Sequence, residues 1–202
     1  MNVLVIPEDF RKDQYLLSPL IKAMFQHLGR PKARIDILRD PLLGGVEELL
    51  KWENLQEIIE DNGMVDLFLL CLDRDCNDGR KNPGGRGENR PLRVQAIEHQ
   101  AVQLFPTKKL MGESAIEELE VWILAGLDLP KEWVWKEVRQ DCHPKENYFA
   151  KLAQARHLTL GEGEGRKTLG EEAAKRYAAI RQKCPELEAL EKRIAQWMAP
   201  QG

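Results

Sequence analysis

One stretch limits what this chain can fold into more than any other. Residues 67–72 read Leu-Phe-Leu-Leu-Cys-Leu, an unbroken apolar run, and two aspartates one residue apart, Asp73 and Asp75, close it. A strand covered on one face alternates apolar and polar side chains, whereas a strand covered on both faces reads as a continuous hydrophobic run. The run therefore predicts a central strand of a mainly parallel sheet flanked by helices. Ligands of such sheets bind beyond the carboxyl ends of the strands, where Asp73 and Asp75 stand. An extended backbone points both carboxylates to the same side, about 7 Å apart along the chain. They repel each other unless a cation lies near, and a hard divalent ion such as Mg²⁺ takes oxygen ligands. The plainer alternative is a solvated turn, which Asp and Asn also favour.

The neighbouring sequence supplies the rest of that fold. Residues 3–6 form a short apolar run that predicts a first strand, followed at once by Pro7, Glu8 and Asp9. Tyr15, Leu16, Leu17, Leu20, Ile21, Met24, Phe25 and Leu28 recur at helical spacing, and Gly29 and Pro31 close that helix. Residues 33–38 alternate as a second strand, and the apolar positions from Val46 to Ile59 predict a second helix. Strand, helix, strand, helix, strand implies right-handed crossovers and a parallel sheet. Residues 92–104 read as a third helix and 107–111 as a short fourth strand. Ser114-Ala115-Ile116-Glu117 matches the Ser-x-x-Glu pattern that opens a helix. That helix would run through Glu120 and Trp122 to Gly126, with Glu117 and Glu120 on one face. Beyond Pro130 the composition shifts to tryptophans, a Gly-rich turn and a helical end broken at Cys184-Pro185. The expected division is an α/β core over residues 1–128 and a mainly helical extension over 129–202.

Composition narrows the partners. Charged residues make up 31% of the 202 positions but the net charge is only −3, so any affinity for nucleic acid must come from a local patch. Gly79, Gly84, Gly85 and Gly87 alternate with Arg80, Lys81, Arg86 and Arg90, a composition that suits a loop facing phosphates and an ordinary surface loop equally. No apolar segment is long enough for a membrane span and no basic leader opens the chain, so a cytoplasmic protein is expected. Four cysteines without a Cys-x-x-Cys pair read as free, mostly buried thiols rather than a disulfide framework or a zinc site. The absence of a Walker glycine loop and of Gly-x-Gly-x-x-Gly argues against tight nucleotide binding. Trp122, Trp133 and Trp135 read as core or as a partner surface, with base stacking the lesser reading.

The order of the acids along the chain is more telling than any one of them. Glu8 follows the first strand, Asp73-x-Asp75 the third, and Glu117, Glu118 and Glu120 the fourth. This pattern resembles the Toprim domain shared by topoisomerases, primases and nucleases of the overcoming-lysogenization-defect type. Glu8-Asp9…Asp13-Gln14, Leu72-Asp73-Arg74-Asp75, the segment from Glu117 to Leu124, Pro144-Lys145-Glu146 and Gly165-Arg166-Lys167 resemble a bacterial Toprim-like family. That family is related to anti-phage and toxin-type nucleases and is often encoded beside an ATPase. The resemblance implies a Toprim-like, Rossmannoid α/β fold and Mg²⁺ (or Mn²⁺) held by Glu8, Asp73, Asp75 and Glu120, with Glu117 as the rival fourth acid. It also implies Glu8 as a further ligand or general base, and Lys167 as the cation that neutralises charge in the transition state. The implied activity is cleavage of phosphodiester bonds in DNA or RNA. A non-catalytic subunit that partners an ATPase or binds nucleic acid is the alternative, and homo-oligomerisation is left open. In one departure, Asp9 stands where Toprim domains commonly place glycine. Each assignment has a plainer rival: Glu8 as a helix cap, Glu117 and Glu120 as a solvated helix face, and Arg166-Lys167 as a surface turn.

Overall fold

A computed structural model describes residues 1–39, 45–74, 76 and 90–199. The apolar run is buried on both faces, as its composition requires. It lies in β3, Leu67–Asp73, which pairs in parallel with β1, Asn2–Pro7, on one side and with β4, Lys109–Ala115, on the other. A further parallel strand, β2 (Arg34–Ile37), pairs with the far side of β1, giving the four-stranded order β2-β1-β3-β4. The fold is α/β, with an all-parallel sheet flanked by helices. Alternate residues of β3 feed two cores. Leu67, Leu69 and Cys71 join the core that contains Leu16, Leu20 and Met24 of α1, Phe10–His27. Phe68, Leu70 and Leu72 join the core built by α2 (Val46–Leu49), α3 (Trp52–Asp61) and α4 (Arg90–Leu104).

The C-terminal half adds α5 (Glu120–Gly126), α6 (Trp135–Gln140), a π-helical turn at Lys145–Phe149, α7 (Ala150–Ala155) and a 3₁₀ turn at Glu162–Gly165. After these come α8 (Arg166–Ala174), α9 (Tyr177–Lys183) and α10 (Pro185–Met198). Leu169, Ile180, Leu187 and Ile194 of this part share one core with Val3, Val5 and Leu67 of the sheet. A short contact sets the crossing of α8 on α1: a Cβ on Gly170 would lie 2.7 Å from the Tyr15 carbonyl oxygen.

Three local expectations need correction. Ser114 does not open a helix; it is a residue of β4 opposite Leu72, and the strand continues to Ala115 opposite Asp73. Pairing along the whole of β3 overrides the local capping pattern. Glu117 then turns the chain at φ 65°, and α5 begins only at Glu120, so Glu117 and Glu120 do not share a helix face. The second helix is two, interrupted at Leu50-Lys51, where the Asn54 side chain donates to the Glu48 carbonyl. Cys76 and Cys142 form a disulfide, with Cα atoms 5.0 Å apart, while Cys71 and Cys184 are the buried free thiols. Spacing alone gave no sign of that bond, because only folding brings positions 66 residues apart together. Among the described residues no helix is long and apolar enough to cross a membrane.

Candidate active site at the carboxyl edge of the sheet

The strand order places a topological switch between β1 and β3. From β1 the chain moves outward to β2, and from β2 it crosses back to β3 on the other side of β1. Connections diverge at that point and leave a crevice at the carboxyl edge, the general ligand position of open parallel sheets. Glu8 is the first residue past β1, and Asp73 is the last residue of β3.

Asp73 has the same parity as Leu67, Leu69 and Cys71, so it faces the side of the sheet that carries α1 and α5. Its Oδ1 accepts a hydrogen bond of 2.8 Å from the Leu119 amide, just before α5. Its carboxyl is held well above the usual carboxylate range. Burial is the largest cause, the charges of Glu120, Asp13 and Glu8 follow, and the Leu119 amide offsets part of it. Asp13, in the first turn of α1, is pushed up to about 7, again chiefly by burial. The hydrogen bond from the Asp9 amide opposes that shift, Glu120 and Asp9 add to it, and Arg166 counters it. Asp9 itself caps α1. Its Oδ1 accepts from the Arg11 amide at 3.0 Å, while its own amide donates to Asp13 Oδ2 at 3.0 Å. Asp9 has φ −123°, a conformation open to any residue, so this position does not demand glycine.

Two arginines reach into the acids. Arg90, at the start of α4, donates from Nη1 to Glu8 Oε2 at 3.4 Å and also to the Asp73 carbonyl oxygen. Arg166, the first residue of α8, donates from Nη2 to Glu120 Oε1 at 2.6 Å. Both partners are sealed from solvent, at 2% and 3% exposure. Arg166 Nη1 also donates to the Gly163 carbonyl at 3.1 Å and to Glu164 at 3.2 Å, and the guanidinium lies 5.5 Å from the centre of the Phe149 ring. Gly165, at φ 90°, makes the left-handed turn that lets α8 begin with Arg166 buried. On the other flank, Glu118 accepts a 2.8 Å hydrogen bond from the Lys145 amide. Burial pushes its carboxyl up to about 7 against that hydrogen bond, with Glu120 and Glu146 adding to the shift.

The fold thus gathers Glu8, Asp73 and Glu120, three acids named from the sequence, at one edge. Asp75 lies outside the described residues, as does the glycine-rich loop apart from Arg90. Glu117 turns to Arg74, whose Nη2 stands 3.0 Å from its Oε1. Lys167 does not join the acids: it is exposed, with its Nζ 2.5 Å from Glu162. Trp122 is fully buried, donating to Glu186 at 2.9 Å, and Trp133 packs edge-on against Tyr148, so both serve packing. Asp13, Lys145 and Arg166 stood in the stretches that carry the resemblance, but none was named there as a metal or catalytic residue. Asp13 was expected only near the start of the first helix, and Arg166 only as part of the Gly165-Arg166-Lys167 stretch.

The donor set consists of carboxylate oxygens, which suit a hard cation. Among the described residues, however, no three His, Cys, Asp or Glu side chains are placed to hold one ion together. Comparison with protein-family models, with curated proteins and with solved structures gave no match to this chain.

Proposed function

We propose that this protein is a Mg²⁺-dependent, Toprim-like phosphodiesterase that cleaves DNA or RNA, in the manner of the effector of an anti-phage or toxin system. One observation supports this above all. Asp73 sits at the switch point with its carboxyl held far up by burial and by Glu120, Asp13 and Glu8. Carboxylates from three elements cluster there at a cost in repulsion that a cation would relieve. In this reading Asp73, Asp75, Glu8 and Glu120 are the ligands. When bound, the cation would neutralise the carboxylates and lower the pKa of a coordinated water.

The chain's own residues then position and neutralise. Asp73 is held through its Oδ1 by the Leu119 amide. Glu8 is the further ligand or the base that takes a proton from water. Arg90 and Arg166 screen the cluster from either side. Lys167 would have to leave Glu162 before it could serve a transition state.

The second reading is a non-catalytic subunit that partners an ATPase or binds nucleic acid. The ion pairs Glu8–Arg90 and Glu120–Arg166 favour it, because they already neutralise two of the four acids without a metal.

The test is a calorimetric titration of wild type and Asp73→Ala with Mg²⁺ and Mn²⁺, with plasmid DNA and total tRNA incubated alongside. The phosphodiesterase reading expects metal binding and cleavage in wild type, with both lost in a folded variant. Cleavage retained in Asp73→Ala sinks it, and a wild type that binds no metal leaves the subunit reading.

A further inference from the structure

We propose that the Cys76–Cys142 disulfide is a thiol-responsive clamp on the acid site, holding Asp73 and Glu118 in place until a dithiol reduces it. The phosphodiesterase reading enters only in what the clamp controls, the affinity for a divalent cation; the clamp itself stands on the connections of the fold.

The bond closes a ring. Cys76 lies three residues past Asp73 at the exit of β3, and Cys142 lies three residues before Lys145. The Lys145 amide donates to Glu118 Oε2 at 2.8 Å, and the residue after Glu118, Leu119, donates its amide to Asp73 Oδ1 at 2.8 Å. Two hydrogen bonds, one disulfide and short runs of chain therefore lead from Asp73 back to itself. The turn inside that ring is braced. Asp141 Oδ1 accepts from the His143 amide at 2.7 Å and from Asn147 Nδ2 at 2.9 Å, so Cys142 and Lys145 move together.

Cutting one link of a closed ring loosens the others, because each hydrogen bond must then hold a free end rather than complete a loop. The sheet does not depend on the disulfide. Past β3 the Arg74 amide still donates to the Ala115 carbonyl at 3.1 Å, and Arg74 Nη2 still meets Glu117 Oε1 at 3.0 Å. Reduction therefore acts on the turn that carries Lys145 and on its grip of the acids, with both cores intact.

The exchange balances with a dithiol as reductant. Residues 141–143 lie outside any helix or strand, and His143 is exposed, so this turn is where local opening admits the reagent. A reductant thiolate attacks Sγ of Cys142, the more exposed partner at 9% against 4% for Cys76. The bond to Cys76 breaks, and the Cys76 sulfur leaves with the electron pair and takes a proton. The second thiol of the reductant then displaces Cys142. The protein gains two electrons and two protons, and the reductant departs as its own disulfide. The remaining two thiols do not compete: Cys71 and Cys184 are fully buried, and burial pushes both up, Cys184 to about 12 and Cys71 further.

The experiment follows amide hydrogen exchange by NMR in the oxidised protein and after reduction with dithiothreitol, alongside calorimetric titration of both forms with Mg²⁺. The Leu119 and Lys145 amides are expected to exchange about tenfold faster in the reduced form, while the core amides of Met24 and Leu69 keep their protection. Reoxidation should reverse the change. Cys142→Ser should match reduced wild type and ignore dithiothreitol. Mg²⁺ should bind the oxidised form about tenfold more tightly. Equal protection of Leu119 and Lys145 in the two forms overturns the clamp. Loss of the core amides together with them also overturns it, since the bond then only supports the fold. Mg²⁺ bound with equal affinity by both forms overturns its control of the site. If neither form binds Mg²⁺ while Leu119 and Lys145 respond as expected, the phosphodiesterase reading fails and the clamp stands.

Discussion

Arg166 Nη2 lies 2.6 Å from Glu120 Oε1, and neither side chain has appreciable contact with solvent. This pair joins the C-terminal helices to the edge of the sheet. It also sets the charge of the acid cluster, since Arg166 lowers and Glu120 raises the pKa of Asp13. Breaking a buried pair by removing one partner leaves an uncompensated charge and costs about 3–5 kcal/mol. Arg166→Met is therefore expected to destabilise the fold by that amount in urea unfolding. Adding Glu120→Gln should recover much of the loss, because the orphaned carboxylate is then gone. Additive effects of the two changes would show that the pair does not interact energetically.

The raised pKa of Asp13 makes stability depend on pH. Its carboxyl moves from 3.8 to about 7 on folding, so the folded state binds more protons than the unfolded chain between those values. Its stabilising contribution is complete below about 4 and is lost as pH rises to about 7. The metal-free protein should thus weaken over that window, and Asp13→Asn should flatten part of the slope and be the more stable form at pH 8. Asp73, held well above the usual carboxylate range, and Glu113 and Glu118, each pushed up to about 7, all chiefly by burial, keep the rest of the slope. Parallel stability curves for wild type and Asp13→Asn would refute the assignment.

The disulfide between Cys76 and Cys142 closes a sequence separation of 66 residues, and the loop-closure model gives such a bond about 4 kcal/mol. Adding a thiol reductant, or making Cys76→Ser, should lower stability by a comparable amount in chemical denaturation. Alkylation and mass measurement before and after reduction should show two additional reactive thiols in the unfolded chain. Four reactive thiols without reductant would mean that the bond does not form.

Close approach of α1 and α8 predicts a steric effect at Gly170. A Cβ there would meet the Tyr15 carbonyl oxygen at 2.7 Å, and backbone cannot rotate away as a side chain can. Gly170→Ala should cost about 1–3 kcal/mol, read as a fall of several degrees in the unfolding temperature. Gly63→Ala, where the added Cβ meets nothing within 4 Å, is the control and should change stability by less than about 0.5 kcal/mol.

Much of the fold was legible from side-chain patterning. The run at residues 67–72 specified a strand buried on both faces, and the strand and helix order specified a parallel sheet. Both follow from local periodicity, which solvent exposure imprints on sequence. Glu8 and Asp73 could be assigned to one edge from strand order alone, since in a parallel sheet every strand ends on the same side. Boundaries that depend on pairing were not legible. Ser114 carries a helix-opening pattern, yet it lies in β4 because β3 offers it hydrogen bonds along its full length. The pairing of Arg166 with Glu120, the approach of Asp13 to Asp73, and the Cys76–Cys142 bond belong to the same group. Each is a contact between residues distant in sequence, selected by how helices pack on the sheet rather than by any neighbour along the chain. The sequence by itself determined the layers and the edge where Glu8 and Asp73 gather. Only the tertiary structure decided which charges meet there, because burial and distance, on which their energies depend, exist only after packing.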